Sequence, residues 1–292
     1  SATCVTGLIV VDTATRFSFY GHLVIMLLIQ IGGLGIMILS TFAGFLIGKR
    51  ISLQEKMTLS YMLNEKDIHN LSHVVRRIIG ITFLVEILGA GLLWWGFVPT
   101  MGRTPDTIFF AAFHAISAFC NAGFALFSNS FESYTGNFLI NGTLAALIII
   151  GGISFSVLVN VVSVFTSRIR VSLFHHECRL GKITLNTKLV VLLTGILLAL
   201  GTLLMYQFEH GTTLIRYSLP TQYLAAFFQS VTLRTAGFNT IDFTHLTVPS
   251  YLMMIVFMFI GGAWGSTAGG IKVNTVGVII AYVKSMFRNS DD

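Results

Sequence analysis

Long uncharged apolar runs alternate with short polar segments along this chain, and the runs set its architecture. Phe17–Gly48, Ser133–Ser167, Leu189–Phe208 and Phe243–Ile271 contain no Asp, Glu, Lys or Arg. A helix needs about 20 apolar residues to cross a bilayer, and each run reaches that length. A fifth apolar segment, Ile78–Val98, carries one acid, Glu86. These runs predict membrane-spanning helices. A buried core helix in a large soluble protein would give one such run; several, with so few charges between them, point to a multi-pass membrane protein. Composition agrees: 54% of the 292 residues are hydrophobic and 10% charged, against about 25% charged in soluble domains.

Charge gives the orientation. Lys49, Arg50, Lys56, Lys66, Arg76 and Arg77 fall in one connection, and Arg168, Arg170, Arg179, Lys182 and Lys188 in another. The connections between them are nearly free of Lys and Arg, holding Arg103, Arg216 and Arg234. The positive-inside rule puts the basic clusters in the cytoplasm, and Lys284 and Arg288 fit the same side. The net charge of +6 is thereby read as topology rather than as nucleic-acid binding, although such loops also suit anionic partners.

This orientation leaves two apolar stretches, Asp106–Ser128 and Ser218–Thr240, that begin and end outside. They read as re-entrant hairpins. Irregular backbone at membrane depth is tolerated only where protein buries it or where it lines a water-filled path, so these stretches predict a pore.

A repeat sits in them. Cys4-Val5-Thr6-Gly7, Cys120-Asn121-Ala122-Gly123 and Arg234-Thr235-Ala236-Gly237 recur with their last glycines 116 and 114 residues apart. Short apolar runs, Phe109–Phe119 and Tyr223–Val231, precede the second and third. A dehydrated cation needs carbonyl oxygens in place of its water. Aiming successive carbonyls into one lumen requires positive φ, which glycine adopts without steric cost. A glycine after a short helix is also an ordinary C-cap; three on one side of the membrane, at near-equal spacing, favour a common pore.

Thr3–Asp12, Gly21–Met37, Gly48–Glu55, Arg234–Asp242 and Gly261–Lys272 (GGAWGSTAGGIK) resemble the Ktr/Trk/HKT superfamily of potassium transporters, most of all the bacterial KtrB-type membrane subunit. The resemblance implies an all-α membrane fold of repeated M1–P–M2 units around a pseudo-fourfold pore. It implies a selectivity filter built from Val5, Thr6, Gly7, Asn121, Ala122, Gly123, Thr235, Ala236 and Gly237, with potassium as the transported ion. It also implies a homodimer in the bacterial plasma membrane, docked on a cytosolic ring of nucleotide-binding regulatory subunits. The basic connections 49–77 and 168–188 are the candidate docking surface. The expected organisation is residues 1–50 as the pore loop and inward helix of unit 1, 51–77 as a cytoplasmic connection, 78–167 as unit 2, 168–184 as a second connection and 185–292 as unit 3. By that pattern the sequence is a fragment lacking the first outward helix and the fourth unit. The opening Ser1-Ala2-Thr3, with no initiator Met or signal peptide, also suggests truncation.

Gly261, Gly262, Gly265, Gly269 and Gly270 crowd the inward helix of unit 3, each costing about 1 kcal/mol against Ala in a helix. The segment is therefore expected to break within the membrane. The resemblance makes it a gate loop below the filter, comprising Gly261, Gly262, Gly265, Ser266, Thr267, Ala268, Gly269, Gly270 and Lys272. A phosphate-binding loop fits poorly, because Ile271 rather than Lys follows Gly270 and no strand precedes. A packing seam of small residues is the other reading. Lys272 either snorkels or repels and positions cations.

Glu86 is expected to support the filter by bonding pore-loop backbone, and Arg234 by bonding carbonyls rather than facing the lumen. Asn121 and Asn239 suit Asx-type bonds within their loops. Gly32-Gly33-Leu34-Gly35 reads as helix packing, and Asn141-Gly142-Thr143 as a chance glycosylation sequon. His175-His176-Glu177-Cys178 matches no common zinc spacing, and Cys4, Cys120 and Cys178 form no disulfide framework. No ATP-binding motif or catalytic triad is visible and no cofactor is implied, so the chain is not expected to be an enzyme. The alternatives are a sodium-conducting or non-selective cation transporter, against which Gly7 argues where sodium-conducting relatives carry Ser, and a membrane-embedded enzyme or receptor.

Overall fold

The structure is a computed structural model. It describes residues 1–35, 38, 39, 57, 60, 71–174 and 182–287, with backbone alone over 169–174. Most of the first basic connection, His175–Cys178 and Arg288 lie outside the described residues.

The described residues are nearly all helical. A short turn, α1 (Thr13–Arg16), leads into α2 (Phe19–Leu34). Then come α3 (Leu71–Met101), α4 (Pro105–Phe119), α5 (Phe138–Gly152) and α6 (Phe155–Phe174). The last group is α7 (Leu185–Glu209), α8 (Leu219–Thr232), α9 (Val248–Phe259) and α10 (Val273–Phe287). A motif thus occurs twice: a long helix, a short helix, an irregular loop and a helix interrupted midway. α3 and α7 are long and apolar enough to cross a membrane. At 31 residues α3 is about 46 Å long, more than a roughly 30 Å hydrocarbon core. It starts seven residues before the expected Ile78 and carries Arg76 and Arg77 into the helix.

Local chemistry starts and stops the short helices. Thr104 accepts a hydrogen bond from Thr107 N–H, and Pro105 opens the first turn of α4, where a missing N–H costs nothing. Pro220 plays the same part in α8 and Pro249 in α9.

One expectation is corrected. The inward helix of unit 2 is not continuous: α5 and α6 meet at a bend of 106°. The cause is close packing. A Cβ on Gly151 would lie 1.8 Å from the carbonyl oxygen of Phe119 at the end of α4. Gly152 ends the helix and Ile153 is extended. Phe155 N–H then bonds Gly265 O at 2.9 Å, and Ala263 N–H bonds Gly152 O at 3.0 Å. The two interrupted helices therefore complete each other's backbone bonding, which membrane depth demands.

One apolar cluster joins α3, α4 and α5 through Phe97, Phe113, Phe119 and Leu144, and a second joins α7, α8 and α9 through Met205, Ala226 and Met254. Glu209 ties the outer ends of α7 and α9: it accepts from Thr212, Thr213 and Ser250 hydroxyls and from both N–H and hydroxyl of Thr247. Large apolar side chains such as Leu192, Leu203, Ile255 and Phe259 face outward, as lipid contact requires.

Candidate functional site

The three glycine loops converge. Gly7, Gly123 and Gly237 have φ of 73°, 72° and 83°. The residue two places before each is also left-handed: Val5 at 51°, Asn121 at 57° and Thr235 at 72°. Thr6, Ala122 and Ala236 between them keep negative φ, so each loop alternates in sign. Among the described residues Ser130 is the one other non-glycine at positive φ. Such conformations cost about 1–3 kcal/mol each, most for a β-branched residue, and persist where the surroundings fix them. The sequence marks the glycines; nothing in it marks Val5 or Thr235.

The loops are also related in space. A Cβ on Gly7 would lie 2.6 Å from Ala122 O, and one on Gly123 would lie 2.5 Å from Ala236 O. Each glycine thus abuts the same carbonyl of the next loop, as in steps about one axis. A Cβ on Gly237 would come within 4 Å of Gly123 Cα alone, with no further carbonyl against it among the described residues.

Outside the loops lies an open cavity of about 420 Å³, lined by all three glycines and by Asp12, Glu132 and Asn239. Hydrogen bonds from Ser128 and Ala14 N–H hold the Asp12 carboxyl below the usual carboxylate range. Partial burial, then the nearby Asp242, push Glu132 above the usual glutamate value. Asn239 Nδ2–H donates to Glu132 Oε1 at 2.9 Å, Phe131 N–H to Asn239 O at 2.9 Å, and the Thr135 hydroxyl to Thr240 O at 2.6 Å. These bonds fasten loop 3 to the outer part of unit 2.

The Gly-rich segment fills the other side. Its helix stops at Phe259 and resumes at Val273, and its ends are joined by the parallel bridge between Ile260 and Ile271. Gly265 and Gly270 have φ of 66° and 72°. A Cβ on Gly261 would lie 1.8 Å from Gly269 O. Lys272 Nζ donates to Ala268 O at 2.6 Å, so its charge caps the segment from within. The Thr267 hydroxyl hydrogen is shared between Phe119 O (3.0 Å) and Gly151 O (2.9 Å), and its oxygen accepts from Asn121 Nδ2 at 2.8 Å. Gly269 N–H donates to the Thr235 hydroxyl at 3.0 Å. The segment is thus bonded directly to loops 2 and 3.

Several expected roles change. Asn121 donates to Phe119 O and Ile148 O within its own unit and across units to Thr267, and its Oδ1 makes no Asx turn among the described residues. Asn239 likewise bonds Glu132. Arg234 is 4% exposed, and its guanidinium has no hydrogen-bond partner among the described residues, where bonds to carbonyls were expected. It lies beside Gly152. Glu86 is equally buried, without a hydrogen-bond partner among the described residues; it neighbours Gln30 and Cys120 rather than bonding loop backbone. Gly32 and Gly33 do pack closely, against Thr3 O and Cys120 Sγ. Asn141 of the sequon is buried and donates to Tyr134 O, Thr135 O and Asn137 O.

A family profile described as TrkH, cation transport protein, matches residues 1–292. The chain belongs to this family. Among TrkH-family relatives, the Ktr system potassium uptake protein B of Vibrio alginolyticus is 41% identical over 280 residues, covering 95% of this chain and 59% of the relative. The protein of the same name from Bacillus subtilis (strain 168) is 37% identical over 296 residues, covering 100% and 63%. The potassium/sodium uptake protein NtpJ of Enterococcus hirae is 34% identical over 289 residues, covering 99% and 61%. This TrkH-family chain therefore spans about three fifths of the length of these relatives. The crystal structure of the potassium transporter TrkH from Vibrio parahaemolyticus superposes with a TM-score of 0.69 at 20% identity, over 98% of this chain and 53% of that one. The fold is TrkH-like, and the chain is a multi-pass cell-membrane protein.

Proposed function

We propose that this chain forms most of a potassium-conducting pore, with Val5–Gly7, Asn121–Gly123 and Thr235–Gly237 as three walls of its selectivity filter. The observation that carries this reading is the repeated contact in which Gly7 rests on Ala122 O of loop 2 and Gly123 on Ala236 O of loop 3. Alternating φ signs line carbonyl oxygens along one edge of a strand, and a ring of such edges replaces the hydration shell of a monovalent cation. Asp12 and Glu132 on the outer cavity raise the local cation concentration ahead of the filter. A fourth loop, outside residues 1–292, completes the ring beside Gly237.

The segment Gly261–Lys272 is the gate. Support comes from comparing units. Gly32 packs on Thr3 O and Gly151 on Phe119 O, each carbonyl four residues before its loop's glycine. In unit 3 the corresponding Gly261 packs on Gly269 O instead. The segment thereby takes the place that the carbonyl four residues before the loop's glycine holds in the other two units, which is where a gate below the filter would act. Partners follow the same reading: a second copy in the membrane, and a cytosolic nucleotide-binding ring on the basic connections 49–77 and 168–188. A regulator acts by binding two gate states unequally.

Potassium/sodium uptake is the second reading, favoured by the printed name of the Enterococcus hirae relative. Expressing the complete protein in cells lacking potassium uptake tests both. Growth at low potassium, with rubidium entry resistant to excess sodium, is expected. Absence of rescue and of rubidium entry would refute transport; entry abolished by sodium would favour the second reading.

A further inference from the structure

The strained residues of the loops are not held alike. In loop 2 the strained residue is Asn121 and in loop 3 it is Thr235. Each is bonded through its own side chain to the same three-residue stretch of the Gly-rich segment, Thr267–Gly269. Asn121 Nδ2 donates to the Thr267 hydroxyl at 2.8 Å, and the Thr235 hydroxyl accepts from Gly269 N–H at 3.0 Å. Thr267 holds loop 2 twice, since its hydroxyl also reaches Phe119 O, the last residue of α4. Loop 1 differs. Its strained residue, Val5, has an apolar side chain and rests against Gly32 of α2, as close as 3.0 Å to where a Cβ would stand there.

A non-glycine residue stays left-handed only while its surroundings hold it there. For loops 2 and 3 part of those surroundings is the Gly-rich segment itself, read above as the gate. We infer that Thr267 is a specificity-determining residue: its hydroxyl holds loop 2 in the carbonyl-aligned shape through Asn121 and Phe119, as Thr235 ties loop 3 to Gly269. Withdrawing the segment therefore loosens two walls of the filter while leaving the wall built on α2. Coupling of this kind is reciprocal in binding free energy. An ion that prefers the aligned loops favours the seated segment, and a seated segment raises the affinity for that ion. The inference rests on the reading of these loops as the filter, and makes the seated segment part of that filter's selectivity.

The test uses the complete protein carrying Thr267→Val, which removes the hydroxyl at nearly constant shape, and Thr267→Ser, which keeps it. Thr235→Val and Thr235→Ser form a second pair acting at loop 3. Two quantities are read: the preference of rubidium uptake for competition by potassium over sodium, and the potassium concentration that half-protects the purified protein against thermal unfolding. A lost hydrogen bond to an otherwise satisfied site corresponds to roughly a two- to tenfold change. Both Val variants are expected to lose preference and potassium affinity by that factor, with both Ser variants retaining them. A merely structural Thr267 would lower the melting temperature without moving either quantity. Val variants with wild-type preference and half-protection would overturn the inference, as would Ser variants that fail equally. If either Val variant does not assemble, the other pair decides alone. A wild-type protein that takes up no rubidium would instead remove the functional reading itself.

Discussion

At the residue scale, the loops are defined by six left-handed positions, of which three are glycine. Composition made the glycines legible, since a Cβ at Gly7, Gly123 or Gly237 meets both an unfavourable φ and a neighbouring loop. Val5, Asn121 and Thr235 were not legible as strained, because their conformation is held by contacts with other elements: Gly32 of α2 for Val5, Thr267 for Asn121 and Gly269 for Thr235. Thr267 was read as one small residue among several, and only the fold shows its hydroxyl joining α4, α5 and loop 2. The left-handed glycines carry a direct consequence. Gly7→Ala would place a methyl 2.6 Å from Ala122 O and strain its own backbone by about 1–2 kcal/mol. In the complete protein this variant should reach the membrane and lose at least about tenfold of its potassium-over-sodium preference in rubidium competition. An unchanged preference would separate Gly7 from selectivity.

At the scale of elements, the long apolar helices, the short helices before loops 2 and 3 and the interruption at Gly261–Gly270 follow from hydrophobic length and glycine content. The break between α5 and α6 did not, because Ser133–Ser167 is uncharged throughout and two glycines are tolerated in a helix. A signal was nonetheless present. Ile-Gly-Gly recurs at Ile31–Gly33, Ile150–Gly152 and Ile260–Gly262, and in each case the helix ends at or within two residues of that triplet. The repeat marks where each inward helix must let another backbone approach. In unit 3 the approaching backbone is the chain's own Gly269. Gly261→Ala would overlap it at 1.8 Å, too short for side-chain adjustment to relieve. The segment would be displaced, so Gly261→Ala should raise rubidium leak in the absence of the regulatory ring and flatten the response to it. Flux still fully dependent on the ring would argue that the segment does not gate.

At the scale of the whole molecule, charge is divided along the sequence between two kinds of connection. Acidic Asp12 and Glu132 line the outer cavity, while the basic residues cluster at 49–77 and 168–188. The glycine loops follow one another in space, Gly7 on Ala122 O and Gly123 on Ala236 O, with Gly261–Lys272 bonded to loops 2 and 3. Lys and Arg alone predict the side of the membrane on which each loop sits. The order of contact, loop 1 on loop 2 and loop 2 on loop 3, was not legible, since nothing local encodes which loop a glycine will face. The central claim is that these loops surround one ion path. It is tested most directly by determining the structure of the complete protein in rubidium or thallium and locating the ions from anomalous scattering. The account predicts density on the axis between Gly7, Gly123 and Gly237, at coordination distance from the carbonyl oxygens of Thr6, Ala122 and Ala236. Ions bound elsewhere, with that axis empty at saturating concentration, would contradict it.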